Sequence, residues 1–225
     1  MFGFIGAGIA AISGALSAVT PMISAACSAI GGAVISTGRI MIDAINRGLP
    51  MVEKICDVAL IVGKGLGLFS PEHNEVDMYE LGMRTERSVE EGVTSEQFDS
   101  NQAYIDHLRE KITLSKEDKW NLENLSDSDK LKYACIGSAM TIAAIKEKYE
   151  VDIPETFWIA SADLGVEPEQ FKPMLDVFES AQLKPDLDGF LKGELTSELQ
   201  RSIYDLIDER LGGVLSNETL DKLIS

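Results

Sequence analysis

The chain has 225 residues, long enough for one or two domains with a real core. Its 20 basic and 37 acidic residues leave a formal net charge of -17. That balance argues against nucleic acid, which requires a basic face, and it sets the acidic part of the chain against anionic lipid headgroups.

The charge is unevenly placed. Between Met1 and Ser70 the charged residues are Arg39, Asp43, Arg47, Glu53, Lys54, Asp57 and Lys64. They balance to +1, so the remainder of the chain carries -18. From Met1 to Gly38 there is no charged side chain at all. Pro21 is expected to divide this stretch into two helices, Phe2–Thr20 and Met22–Gly38. At the helical rise these are about 28 and 25 Å long, close to a bilayer core of roughly 30 Å. The large apolar residues of the first half supply only about -2 to -4 kcal/mol on an insertion scale, so spontaneous insertion is marginal.

Spacing says more than hydropathy here. Ile5, Ile9, Ile12, Leu16, Val19 and Ile23 alternate steps of four and three, a heptad seam. On other faces Gly6, Ala10, Gly14 and Ala18 recur every fourth residue, as do Ser24, Ser28, Gly32 and Ser36. Small side chains at that interval let helix backbones approach closely, as in membrane helix packing. The pattern predicts an apolar Gly/Ala-rich hairpin or bundle, or a homo-oligomeric ring. Burial at the centre of a soluble helical domain is the other reading of the same pattern.

No basic n-region precedes the apolar run, and Ser24-Ala25-Ala26-Cys27 lacks the large apolar residue of a lipoprotein cleavage site, so no cleavable signal peptide is expected. Arg39, Asp43 and Arg47 form one charged stripe on an amphipathic helix ending near Gly48-Leu49-Pro50. Another helix, Met51 to about Leu60, leads into Gly63-Lys64-Gly65-Leu66-Gly67, which lacks the spacing of a phosphate loop and reads as a hinge.

Three regions follow from this: an apolar segment 1–70, an acidic linker 71–101 with at most one short helix, and an acidic all-α domain 102–225. In the last, Tyr104, Leu108 and Ile112 form one helical face. Ser126-Asp127-Ser128-Asp129 caps a helix to Tyr149 whose uncharged middle, Tyr133 to Ile145, is the expected core. Pro154 and Pro168 start the next helices, and Gly165 closes the first of them. Glu198–Leu211 is amphipathic and stops at Gly212-Gly213, and a short helix follows Ser216-Asn217.

The residues offer little catalytic material. His73 and His107 are the only histidines, and no nucleophile elbow or zinc signature is present. Asp186-Leu187-Asp188-Gly189 has its glycine at the wrong position for a calcium loop. Cys27, Cys56 and Cys135 are odd in number and widely spaced, which suits free thiols without a metal or redox role. Trp120 and Trp158 are expected as core or interface anchors. No catalytic residue, metal or cofactor is assigned.

The opening Met1-Phe2-Gly3, with Gly8-Ile9-Ala10 in a Gly/Ala-rich helix, resembles the start of microvirus DNA-pilot proteins as far as about Thr20. It is similar in kind to the ejection proteins of tailed phages. The apolar pair also resembles the hydrophobic hairpins of pore-forming toxins and of transmembrane effectors of contractile secretion systems. These resemblances imply N-terminal helices that assemble with one another and enter a membrane, in a virion, an injection apparatus or a pore. The expectation is therefore a non-enzymatic membrane-inserting or self-associating protein, with a lipid bilayer or an apolar protein groove as partner. One alternative is a soluble structural or adaptor protein docked into a partner by its apolar helices. The other is an enzyme using a pair of carboxylates in the acidic domain.

Overall fold

The computed structural model describes the backbone from Ile9 to Ser225, and side chains from Leu16 onward except those of Asn121 and Glu123. Every regular element among the described residues is a helix. The chain divides into two compact units, Met1–Glu147 and Lys148–Ser225.

The first unit holds α1 (Ile9–Ile30), α2 (Ala33–Arg47), α3 (Leu49–Gly65), α4 (Glu75–Glu90), α5 (Asn101–Lys111), α6 (Lys116–Glu123) and α7 (Asp127–Lys148). Helix α7 is its axis. From Ala134 to Ile145 every residue of α7 is buried, which explains why this stretch lacks a polar face. Three helices touch it through small or hydroxyl groups. Thr37 of α2 donates its hydroxyl to the Ala139 carbonyl at 2.8 Å. Gly63 of α3 lies against Thr141, and a Cβ there would meet its methyl at 3.1 Å. Helix α4 comes closest of all, because a Cβ on Gly82 would fall under 3.0 Å from the Tyr133 carbonyl oxygen, and one on Gly137 equally close to the Met78 carbonyl.

Several sequence expectations need correction. Helix α1 runs unbroken through Pro21. Proline there removes the N–H that would reach the Ser17 carbonyl, and Ser17 and Pro21 both lie on the exposed side of the helix, where water meets that carbonyl. The break comes instead at Gly31 and Gly32, with φ of 82° and 56°, a conformation that favours glycine. Helix α2 folds back from that turn and packs on α1, so closely that a Cβ on Gly38 would meet the Cys27 side chain at 2.7 Å. The glycine cluster after α3 is not a hinge. Helix α3 continues to Gly65, Gly67 adopts φ 73°, and the Leu68 N–H returns to the Gly63 carbonyl at 2.8 Å, a closed helix stop.

The stretch 71–101, expected as a linker, carries α4 and a 3-10 turn, Ser95–Gln97. Asn74 caps α4, its side chain accepting from the Val76 N–H while Asp77 accepts from the Asn74 N–H. The 3-10 turn brackets the α1–α2 connection. Ser95 donates to the Ile30 carbonyl at 3.0 Å, and Glu96 accepts from the Gly32 N–H at 3.1 Å, so one turn satisfies the end of one helix and the start of the next. The expected boundaries at 70 and 101 therefore fall inside one compact unit, and the helix foreseen as the core of a 102–225 domain is the core of the first unit.

The second unit contains α8 (Glu155–Asp163), α9 (Pro168–Ser180), α10 (Leu187–Leu191), α11 (Ser197–Arg210) and α12 (Asn217–Ile224). Phe157, Trp158, Phe171 and Phe178 form its aromatic core, all fully buried. Phe157 meets the other three edge-on, and Trp158 stacks on Phe171 at 6.2 Å and 12°. Asp186, dismissed above as a calcium ligand, caps α10 by accepting from the Gly189 N–H at 3.0 Å.

Candidate interaction face

Helix α1 has two faces with different fates. Val19, Ile23, Cys27 and Ile30 are buried at 2% exposure or less, so the predicted seam points into the unit's own core from Val19 onward. Leu16 is half-buried. Ala18, Ser24, Ser28 and Gly32 are exposed and Ser36 is half-buried. Ile5 and Gly6 lie outside the described residues, and Ile9, Ala10, Ile12 and Gly14 precede the first described side chain. The turn at Gly31–Gly32 also separates Ser24 and Ser28 from Ser36, so that set is not one helix face. Among the described residues, the closest helix approaches in the unit fall to Gly38, Gly82 and Gly137, which the four-residue spacing did not select.

The outward side of α1 stays charge-free. Ala18, Met22, Ala25, Ser28 and Ala29 are all exposed, Met22 to 43%. Beside it, α1 and α4 enclose a groove of about 380 Å³ whose lining combines Met22, Ala25, Ala26, Ala29, Ile30 and Val89 with Glu86 and Glu90. The same two glutamates border a second, polar cleft of about 420 Å³ formed with α6 and α7. Trp120 stands on α6 with 63% of its surface in water, and its carbonyl accepts from Asn124, which lines that cleft. Among the described residues, no helix is long and apolar enough to cross a membrane.

The charged groups around the cleft are committed to structure. Lys132, buried on α7, donates to both Glu86 oxygens at 3.2 and 3.0 Å, and Tyr133 donates to the same carboxylate at 3.0 Å. The ammonium also lies 4.1 Å over the Tyr133 ring. Burial raises the Tyr133 pKa. Burial opposes the Lys132 charge, but its bonds to Glu86 and Tyr133 outweigh that and raise its pKa as well. Both therefore keep their protons at neutral pH, which makes this an ion-pair brace instead of an acid–base couple. Arg87 grips Asp118 through both carboxylate oxygens, at 2.9 and 2.8 Å. Bonds from Ser115, with Arg87 nearby, hold the Asp118 carboxyl below the usual range.

The histidines are similarly occupied. His73 accepts the Ser70 N–H at Nδ1, 2.8 Å away, and His107 packs its ring on Phe98 at 4.9 Å. No group of three metal-ligating side chains occurs among the described residues.

The three cysteines, far apart in sequence, converge in the core of the first unit. All three are free thiols buried at 2% exposure or less. Burial pushes the Cys27 thiol up to about 12 and Cys135 well above its ordinary value. Burial shields all three from a reagent, so none should react promptly with a disulfide reagent at pH 8, and all three should appear on denaturation. A fast-reacting thiol in the native protein would show that the α1–α3–α7 core opens readily.

The chain matches no family model, no curated protein and no solved structure.

Proposed function

We propose that this chain is a non-enzymatic helical interaction protein whose N-terminal hairpin, α1 and α2, associates with another apolar surface. The observation that carries this is the division of α1. Its inner face is spent on the protein's own core, while its outer face presents Ala18, Met22, Ala25, Ser28 and Ala29 without a charge. Positions 18, 22, 25 and 29 alternate steps of four and three, the spacing at which a second helix packs. The acidic remainder supplies the repulsion that keeps such a protein dispersed when unbound. Direct contact of this face with a bilayer is the second reading, favoured by the charge-free residues Met1–Gly38.

The test compares the full chain with Met22→Glu/Ala25→Glu, both positions being exposed, so the melting temperature should be unchanged. The full chain is expected to bind the apolar dye bis-ANS saturably and the variant to lose most of that binding. Equal dye binding by both chains would sink the proposal. Flotation of the full chain but not the variant with phosphatidylcholine vesicles would move the assignment from a protein surface to lipid.

A further inference from the structure

We infer that the occupant of this face is an amphipathic helix of another protein, apolar on one side and rich in Lys or Arg on the other. The inference rests on the interaction reading above and names the partner's chemistry. The groove between α1 and α4 is not uniformly apolar. Its lining combines Met22, Ala25, Ala29, Ile30 and Val89 with Glu86 and Glu90, one turn apart on α4. The same pair opens onto the polar cleft, where Asp118 and Asp129 add two more carboxylates. Arg87 is the one cation lining that cleft, and it is engaged by Asp118. Glu90 is exposed and lies at the junction of groove and cleft.

Charge decides between occupants. Glu86 is already held by Lys132 and Tyr133, and a second copy of this chain would bring a net charge of -17 and an α1 with no cation to offer Glu90. The chain's own first residues are no better, because no basic side chain occurs before Arg39. Hydrocarbon chains would fill the groove but offer no cation to the exposed Glu90, and anionic headgroups would be repelled by it. A basic amphipathic helix meets both requirements, placing its apolar stripe on Met22 and the alanines and its cations on Glu90 and the cleft. Trp120, exposed on α6 one turn before Asn124, is the residue type that anchors such interfaces.

A fluorescein-labelled peptide of about 14 leucines and lysines, with leucine at heptad a and d positions, is a suitable probe. Anisotropy titration against the full chain is expected to give micromolar binding, weakened about tenfold by Glu90→Lys and by Met22→Glu. A scrambled peptide of the same composition should bind far less tightly. Glu198→Lys, the same charge change at an exposed position in the second unit, should leave binding unchanged. If the scrambled peptide binds equally, or Glu198→Lys weakens binding as much as Glu90→Lys, the attraction is generic and the inference falls. Failure of the peptide to bind a chain that still shows Met22-dependent dye binding removes the basic-helix partner alone. Loss of dye binding as well removes the interaction reading with it.

Discussion

Gly82→Ala and Gly137→Ala are each expected to destabilise the first unit by about 3 kcal/mol, at the upper end of what overpacking costs. A methyl group in a well-packed core is often absorbed by a neighbouring side chain that changes rotamer. Here the neighbours are the Tyr133 and Met78 carbonyls, which belong to helical backbone and cannot step aside without moving a whole helix. The two glycines also face each other across one crossing, since a Cβ on Gly137 would lie 3.5 Å from the Gly82 nitrogen. Whichever substitution is made first separates α4 from α7 and makes room for the other. The double variant should therefore lose clearly less than the sum of the two single losses. Urea unfolding checks both points. Gly212→Ala, where nothing lies within 4 Å of the added methyl, should stay within about 0.5 kcal/mol of the parent. Full additivity of the glycine variants would mean that the two sites do not share a crossing.

Phe171→Ala is the second large effect. Truncating a fully buried phenylalanine costs about 3–5 kcal/mol, and the core of a unit as short as Lys148–Ser225 rarely supplies more than about 3–5 kcal/mol of net stability. Phe171 sits between Trp158, which stacks on it, and Phe157, which meets it edge-on, so the remaining rings cannot simply close the gap. The variant should lose amide-exchange protection throughout α8 to α12 at room temperature while the middle of α7, Ala134–Ile145, keeps its own. Protection lost from both regions together would show that the two units unfold as one.

What the sequence disclosed and what it hid have physical reasons. The helices with strong local punctuation were legible. Pro154 and Gly165 bracket α8, Pro168 opens α9, and Ser216 caps α12. The all-helical class followed from them. Helix α4 was hidden because it lies closest to the central helix. Small groups with little hydropathy, Gly82, Thr85 and Ser88, interrupt its buried Met78, Tyr79, Leu81 and Met83, and charged residues lie among them. Asn74 and Asp77, three residues apart, were the available sign of its start. The fate of the N-terminal seam was hidden for the opposite reason. A charge-free helix is equally consistent with lipid, a second copy or the protein's own core, and only the fold shows Val19 and Ile23 turned inward. The groove was not legible at all, because its lining comes from two helices, Met22 to Ile30 of α1 and Glu86 to Glu90 of α4, far apart in sequence.

The two indoles give the molecule a built-in optical assay for that division of labour. Trp120 belongs to the first unit and is already in water, whereas Trp158 belongs to the second and is fully shielded. Unfolding of the second unit will carry Trp158 emission to longer wavelength while Trp120 barely changes. A ligand settling over α6 will do the reverse, shifting Trp120 to shorter wavelength with Trp158 silent. The unlabelled protein thus distinguishes a binding event from a melting event by the direction in which its own fluorescence moves.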